Sequence, residues 1–296
     1  MLDRAAQLKA DRLSSRALEG KSVALVFERP STRTRVSFEV GVAELGGHPV
    51  VLRGGELQLS RGESLRDTAL VLSRFVAAIC VRTGPHQVLE DLAGHAEVPV
   101  VNMLTADHHP CQALADLLTL RERFGELDGL KLAYVGDHNN VAHSLAVLGP
   151  KAGLEVVVAT PAELAPDLHQ RGAPPPFATP PVERPAGGAG SGRVIVTTDP
   201  AAAAEGAAAL YTDVWVSMGD DEASAERRRE LLAPYRLDEA LMERARDDAV
   251  ALHCLPAHPG EEITEGVLYG PSSAVFDQAE NRLHAQKALL EMLLGA

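Results

Sequence analysis

Phe27-Glu28-Arg29-Pro30-Ser31-Thr32-Arg33-Thr34-Arg35 crowds hydroxyls and guanidiniums together directly after the apolar run Val23-Ala24-Leu25-Val26-Phe27. The run has strand length, and Val36, Val40 and Ala43 then recur at helical spacing until Gly46-Gly47. The polar string therefore falls at a strand-to-helix turn, where unpaired N–H groups and the positive end of the helix dipole favour an anion. Ser31 is the expected N-cap, and an arginine at such a turn can grip two phosphate oxygens at once. An ordinary capped helix accounts for part of the pattern, but so many polar groups in one turn exceed what capping requires. Arg33 and Arg35 stand about 200° apart around a helix. One of them faces the ligand, and Arg33 is the one expected there, with Arg35 holding the turn in shape.

Further along, His109-Pro110-Cys111-Gln112 opens a helix whose apolar positions Leu114, Leu117, Leu118 and Phe124 keep helical spacing. Proline suits a first helical turn, and His109 and Gln112 can point to one side, a donor or base beside an amide that both donates and accepts. A capping arrangement is the plainer alternative. Arg82 follows the run Val76-Ala77-Ala78-Ile79-Cys80-Val81, so it falls at the carboxyl end of a strand, where ligand-binding residues collect in open parallel sheets. Val135-Gly136-Asp137-His138-Asn139-Asn140 leaves another strand with only one of the glycines a dinucleotide site needs. Its asparagines can bind the polar end of a small substrate or cap the next helix. Asp213, ahead of Val214-Trp215-Val216-Ser217-Met218-Gly219, can hold an ammonium group, and His253-Cys254-Leu255-Pro256 brings a thiol and free carbonyls to a strand end. Cys254 reads by default as a buried structural cysteine. It has no partnered base within sequence reach, which argues against covalent thiol catalysis. Arg282, on the terminal helix, can reach back towards these groups.

The elements that must hold these residues alternate in an α/β pattern. Apolar runs at residues 23–27, 76–81, 98–101, 131–135, 154–159, 193–197, 211–216, 249–252 and 273–276 are separated by helical stretches, which predicts two domains, each a parallel sheet flanked by helices. The active site is expected in the cleft between them. The domains are expected at 1–121 and 122–276, with the terminal helix 277–296 packing back on the first. Residues 161–192 are rich in proline and glycine and predict an irregular loop. Its Gly188-Ala189-Gly190-Ser191-Gly192 precedes a strand, where a nucleotide fingerprint must follow one.

In the 296-residue chain, 28 basic against 41 acidic side chains give a formal charge of −13, which argues against nucleic-acid or anionic-membrane surfaces. No apolar run approaches a membrane span, and the first residues lack a signal-peptide core. The odd set Cys80, Cys111 and Cys254 suggests reduced thiols and a cytoplasmic enzyme. Neither His109/Cys111 nor His253/Cys254 has zinc-ligand spacing, so no metal is expected.

Together the motifs between residues 27 and 282 resemble the aspartate/ornithine transcarbamoylase family. Ser31-Thr32-Arg33-Thr34-Arg35 is similar to that family's carbamoyl-phosphate signature, and His109-Pro110-Cys111-Gln112 to its second one. Ser217-Met218-Gly219 and Cys254 resemble the ornithine-using members more than the aspartate-using ones. The resemblance implies carbamoyl transfer from carbamoyl phosphate to the side-chain amine of L-ornithine, giving L-citrulline and phosphate in arginine biosynthesis. It assigns Ser31, Thr32, Arg33 and Thr34 to the phosphate, and Arg82, His109, Gln112, Cys254, Leu255 and Arg282 to the carbamoyl end. Arg82, His109, Cys254 and Thr34 are the implied catalytic groups. Asn140, Asp213, Ser217 and Met218 are the implied ornithine contacts. Gln58 resembles a residue on a loop that enters the neighbouring subunit's site, which implies a homotrimer or an assembly of trimers. Positioning and electrostatics suffice for such a transfer, so no cofactor is expected. Pro259 stands where many relatives carry arginine, and the 161–192 segment departs from the family pattern. A transcarbamoylase acting on putrescine or an acylated ornithine, a non-catalytic carbamoyl-phosphate-binding homologue, and a nicotinamide oxidoreductase suggested only by the alternating α/β pattern and the single Gly136 remain the alternatives.

Overall fold

The computed structural model describes residues 1–58, 62–165, 192–216 and 222–295. The chain divides into two compact units, Met1–Leu118 with Glu280–Ala296, and Thr119–Ala279.

In the first unit, β1 (Ser22–Phe27), β2 (His48–Arg53), β3 (Ala78–Arg82) and β4 (Val100–Leu104) form a parallel sheet in the order β2-β1-β3-β4. β1 is apolar from Val23 to Phe27 because both faces are covered. Val23, Leu25 and Phe27 join Phe38, Val42 and Leu290 in one cluster, while Ala24 and Val26 join Ala69, Leu89 and Leu92 in another. The helices that supply these residues are α1 (Leu2–Ala10), α2 (Thr32–Glu44), α3 (Leu65–Ser73), α4 (His86–His95), α5 (Pro110–Phe124) and α11 (Val275–Leu294). The chain places β2 on one side of β1 and β3 on the other. The carboxyl ends of β1 and β3 therefore flank the point where the strand order reverses, the usual ligand position in an open parallel sheet.

β2 is absent from the strands expected from sequence. Its run His48-Pro49-Val50-Val51-Leu52-Arg53 contains a proline, which demotes a strand pattern, and β2 pairs with β1 alone at the sheet edge, where a missing N–H is tolerated.

The second unit holds β5 (Lys131–Val135), β6 (Glu155–Ala159), β7 (Arg193–Thr197), β8 (Ala209–Thr212) and β9 (Val250–His253), parallel and ordered β7-β6-β5-β8-β9. Its helices are α6 (Asn140–Lys151), α7 (Pro200–Ala204), α8 (Glu222–Leu232), α9 (Glu239–Met242) and α10 (Glu265–Leu268). Here the order reverses between β5 and β8, so Gly136 onward and Asp213 emerge side by side at the switch point. Two strand expectations change. β8 stops at Thr212, and residues 273–276 contribute only an isolated bridge from Ser273 to Ala251 before α11 starts at Val275. That stretch is too short to ladder once Val275 and the residues after it take up helical hydrogen bonds. Most of the proline-rich segment, 166–191, lies outside the described residues.

α2 and α11 meet closely: a Cβ on Gly41 would stand 3.2 Å from Lys287 Cγ and 3.4 Å from Leu283 Cδ1. Lys287 is fully buried, and its ammonium donates to Glu44 Oε2 at 2.8 Å and to the Arg12 carbonyl. Partial burial pushes the Glu44 carboxyl up, but hydrogen bonds and charge from Arg12 and Lys287 outweigh that and hold it below its ordinary value. A carboxylate held low in the folded state stabilises above its unfolded pKa of about 4.3, and the contribution disappears as pH falls through the folded value. Glu44→Ala, which strands a buried ammonium, is expected to lower stability at neutral pH by about 3 kcal/mol in urea unfolding, with the gap to wild type closing below about pH 4. A gap that stays constant into acid would contradict this role.

Candidate active site

In the first unit the polar turn after β1 opens α2. Ser31 is the N-cap with extended backbone, and its Oγ accepts the Thr34 N–H at 3.3 Å. Thr34 is fully buried behind it. From α11, Arg282, only 4% exposed, donates Nη2 to Thr34 Oγ1 at 2.7 Å and Nη1 to Gln112 Oε1 at 3.1 Å. Gln112, in the first turn of α5, passes its own Nε2 to Asp116 Oδ1 at 2.8 Å, one helical turn on. The direction of every bond in this chain is fixed by its ends. A guanidinium can only donate, so the Gln112 carbonyl must face Arg282, its amide nitrogen is left to donate to Asp116, and the Thr34 oxygen must accept. The Thr34 hydroxyl proton is thereby turned away from Arg282, ready for another acceptor.

His109 ends the segment before α5 and is 4% exposed. Burial first, then the charges of Arg282, Arg82 and Arg33, push its imidazole well below the usual value, so it stays neutral. It can donate one hydrogen bond without carrying charge. Arg82 is the last residue of β3, and its carbonyl accepts the Glu28 N–H at 3.0 Å, tying the ends of β3 and β1 together. Glu28 also takes a hydrogen bond from the Thr83 hydroxyl. Arg33 and Arg35 part company as helix geometry requires: Arg33 contributes to the field at His109, whereas Arg35 pairs with Glu39 at 3.0 Å. Arg35 instead lines a cavity of about 360 Å³ with Ser31, Thr32 and Arg53. Three guanidiniums, a helix N-terminus and a neutral imidazole favour an anion here.

In the second unit, Gly136 follows β5 with φ +138, and a Cβ there would stand 3.4 Å from Thr212 Oγ1, so glycine is what lets the chain turn beside β8. Asn139 caps α6, its Oδ1 accepting from Val141 and Ala142 N–H at 2.9 and 3.2 Å and from the Tyr134 hydroxyl at 3.1 Å. Burial first, then the Asp213 and Asp137 carboxylates, push the Tyr134 phenol well above its ordinary value, so it keeps the proton it donates. The Asn139 Nδ2 must then face away, and it donates to Asp213 Oδ2 at 2.6 Å. Asp213, 6% exposed, takes the Cys254 thiol on its other oxygen at 2.9 Å.

Asp213, His253 and Cys254 bring one donor atom each within 4.8 Å of one another, close enough to test for a metal. All three are already committed. His253 Nδ1 accepts the Leu255 N–H at 2.8 Å, its Nε2 faces Glu262 at 3.1 Å, and the thiol is bonded to Asp213.

The sequence-derived residues thus sort by unit. Ser31, Thr34, Gln112 and Arg282 share one hydrogen-bonded group, with Arg33, Arg82 and His109 joined to it by charge. Thr32 opens α2 on the cavity side, and Gln58 is exposed, its carbonyl accepting the Glu63 N–H. Asp213 and Cys254 are joined through one carboxylate, and Leu255 follows with φ +58. Cys254 is half-buried, unlike the buried Cys80 and Cys111, which corrects the default reading of it as a buried structural cysteine. Its place at the end of β9, facing Asp213, keeps it partly open. The amide bonded to Asp213 belongs to Asn139, while Asn140 is the first residue of α6 and its carbonyl accepts from Ser144. Ser217 and Met218 lie outside the described residues. Asp116, Tyr134 and Glu262 carry no site expectation from sequence, and Asn139 enters there only beside Asn140 as a substrate contact or helix cap. Of the first three, only Asp116 has a local signature, its spacing of four from Gln112 on a helix.

The carbamoyl-P binding domain model of aspartate/ornithine carbamoyltransferases matches residues 1–122, and the Asp/Orn binding domain model matches residues 128–293. An ornithine carbamoyltransferase of Acidothermus cellulolyticus is 58% identical over 100% of this chain and 92% of its own. One from a Parafrankia species is 54% identical over 99% of this chain and 91% of its own. The solved ornithine carbamoyltransferase of Pyrococcus furiosus is 47% identical with a TM-score of 0.89, over 100% of this chain and 92% of that one. An anion site in the first unit, a carboxylate–amide–thiol group in the second, and matches of this length on both halves make the chain a member of the aspartate/ornithine carbamoyltransferase family.

Proposed function

We propose that this chain transfers the carbamoyl group of carbamoyl phosphate to the side-chain amine of L-ornithine, giving L-citrulline and phosphate. The observation that carries the reading is the directed chain Asp116–Gln112–Arg282–Thr34 beneath the N-terminus of α2. It turns a hydroxyl donor towards an anion already favoured by Arg33, Arg82 and Arg282. Relatives named ornithine carbamoyltransferase at more than half identity support ornithine as the acceptor.

In this mechanism Ser31, Thr32, Arg33 and Thr34 hold the phosphate. Arg82, His109, Gln112 and Arg282 surround the carbamoyl end, to which the family resemblance also assigns Cys254 and Leu255. Asp213, with Asn140, Ser217 and Met218, binds ornithine, and Asn139 holds the Asp213 carboxylate in orientation. The ornithine amine, with a lysine-like pKa of about 10.4, must shed a proton before its lone pair can attack the carbamoyl carbon. The attack moves the carbonyl electrons onto oxygen, where Arg82, Thr34 and neutral His109 donate hydrogen bonds. Collapse breaks the bond to phosphate, and the phosphate departs into the helix-start cradle as the amine nitrogen loses its remaining extra proton. Each step is positioning and charge stabilisation.

The finer setting we propose is arginine biosynthesis in the cytoplasm by a homotrimer or an assembly of trimers, with Gln58 entering a neighbouring copy's site. The three free cysteines and the acidic surface charge support the compartment. Among the described residues no helix is long and apolar enough to cross a membrane. The exposure of Gln58 supports its role between copies.

The first test mixes purified protein with carbamoyl phosphate and, in parallel, ornithine, putrescine or an acylated ornithine. Citrulline from ornithine is expected, and product only from one of the other amines would overturn the substrate assignment. Arg33→Ala is expected to weaken carbamoyl-phosphate binding, and Asp213→Ala ornithine binding, each by on the order of 2–5 kcal/mol in calorimetry. Equal small losses for both ligands in both variants would contradict the division of labour. Because His109 is held neutral, kcat/KM for ornithine should climb with pH through the neutral range, following the amine, without an inflection near the ordinary imidazole value of 6.5. An inflection there that vanishes in His109→Gln would show that His109 titrates in the working range.

A further inference from the structure

Glu262 has no part in the chemistry above, yet it is fully buried. Its Oε1 accepts the His258 N–H at 2.6 Å and lies 3.1 Å from His253 Nε2. Both the His253 and Glu262 side chains are closed to solvent. Burying a carboxylate against an imidazole is costly, and packing alone would be served by apolar side chains of the same size. The pair must be explained by something its polarity does.

The answer lies on the other edge of the ring. The Leu255 N–H donates to His253 Nδ1 at 2.8 Å, so Nδ1 carries no proton and the ring proton sits on Nε2, directed at Glu262. Only that tautomer satisfies both neighbours at once. Leu255 needs the hold because its φ is +58, in the left-handed region that a branched side chain disfavours. Its neighbour Cys254 donates to Asp213. The end of β9 is clamped separately, with the His253 N–H donating to Gln278 Oε1 at 2.9 Å and Gln278 Nε2 to the Tyr211 hydroxyl at 3.0 Å.

We propose that Glu262 is a positioning residue for carbamoyl transfer: by selecting the His253 tautomer it fixes the Leu255 N–H and, through that backbone, the placement of Cys254 and Leu255. Glu262 contacts neither the thiol nor Asp213 among its hydrogen bonds, so it acts through the ring. The proposal rests on the functional reading above, since it is that reading which gives Cys254 and Leu255 their work.

The test compares wild type, Glu262→Gln and Glu262→Leu for citrulline formation. It also reads the protonation pattern of the His253 ring nitrogens by ¹⁵N magnetic resonance at neutral pH. Glutamine keeps a carbonyl oxygen for His253 Nε2–H and the His258 N–H, so it should retain activity close to wild type and the same tautomer. Leucine removes the acceptor, and a displaced reacting group lowers kcat by roughly 100-fold, while the affinity for inorganic phosphate alone stays unchanged because the residues assigned to the phosphate belong to the first unit. The proposal is overturned if Glu262→Leu folds and keeps wild-type kcat, or if Glu262→Gln loses as much as Glu262→Leu. It is overturned equally if His253 in the active wild type is protonated on Nδ1, a readout that needs no variant to fold. A wild type that makes no citrulline would instead overturn the functional reading, and the positioning role with it.

Discussion

Arg282 can only donate, and the polarity of the first unit's site follows from that constraint. Its two bonds reach residues 170 and 248 positions away in sequence, Gln112 on α5 and Thr34 on α2. They decide which end of the Gln112 amide faces inward and which way the Thr34 hydroxyl points. Asp116 closes the chain at the far end as an acceptor. The guanidinium is 4% exposed, so leaving any of these bonds unmade would be expensive, and the arrangement is correspondingly stiff. A cradle set in advance has no reorganisation to complete when an anion arrives, which is the condition under which fixed donors stabilise a developing charge most.

The second unit follows the same logic with different chemistry. There the fixed donor is the Tyr134 phenol, kept protonated by burial and by the nearby carboxylates. It faces the Asn139 oxygen, and the amide nitrogen is left for Asp213. The His253 ring repeats the device, held between a backbone N–H and Glu262. In each case a group with two possible orientations is reduced to one by neighbours that have no choice. The turn after β1 and the Asn139–Asp213 pair after β5 and β8 lie where the strand order of each sheet reverses, while His253 ends β9 beside β8, so topology supplies the location and hydrogen-bond polarity supplies the direction.

How much of this could be read in the sequence depended on distance along the chain. The start of α2 was legible because strand, cap and basic turn are contiguous, and the cap does fall on Ser31. The α/β alternation and eight of the nine strands among the described residues were legible for the same local reason. The two strand errors are also local: Pro49 disguised an edge strand, and Ser273 to Phe276 looked like a strand until helical bonding claimed most of it. Pairings of high separation, such as Arg282 with Thr34 or Glu262 with His253, leave no periodic trace. Arg282 was legible only as a terminal-helix residue able to reach back, its place at the carbamoyl end being implied by family resemblance, and Glu262 did not enter at all. Asn139 was passed over in favour of its neighbour because two adjacent amides cannot be told apart until the turn after Gly136 orients them.

The central claim is that hydrogen-bond direction, and not positive charge alone, makes the first unit's site. Arg282→Lys tests it most directly, because lysine keeps the charge but cannot bridge Gln112 and Thr34 with a rigid fork. Carbamoyl-phosphate affinity measured by calorimetry should fall roughly tenfold to a hundredfold, the worth of a hydrogen bond to a charged group. An Arg282→Lys protein that folds and binds carbamoyl phosphate as tightly as wild type would show that charge suffices, and would contradict the account.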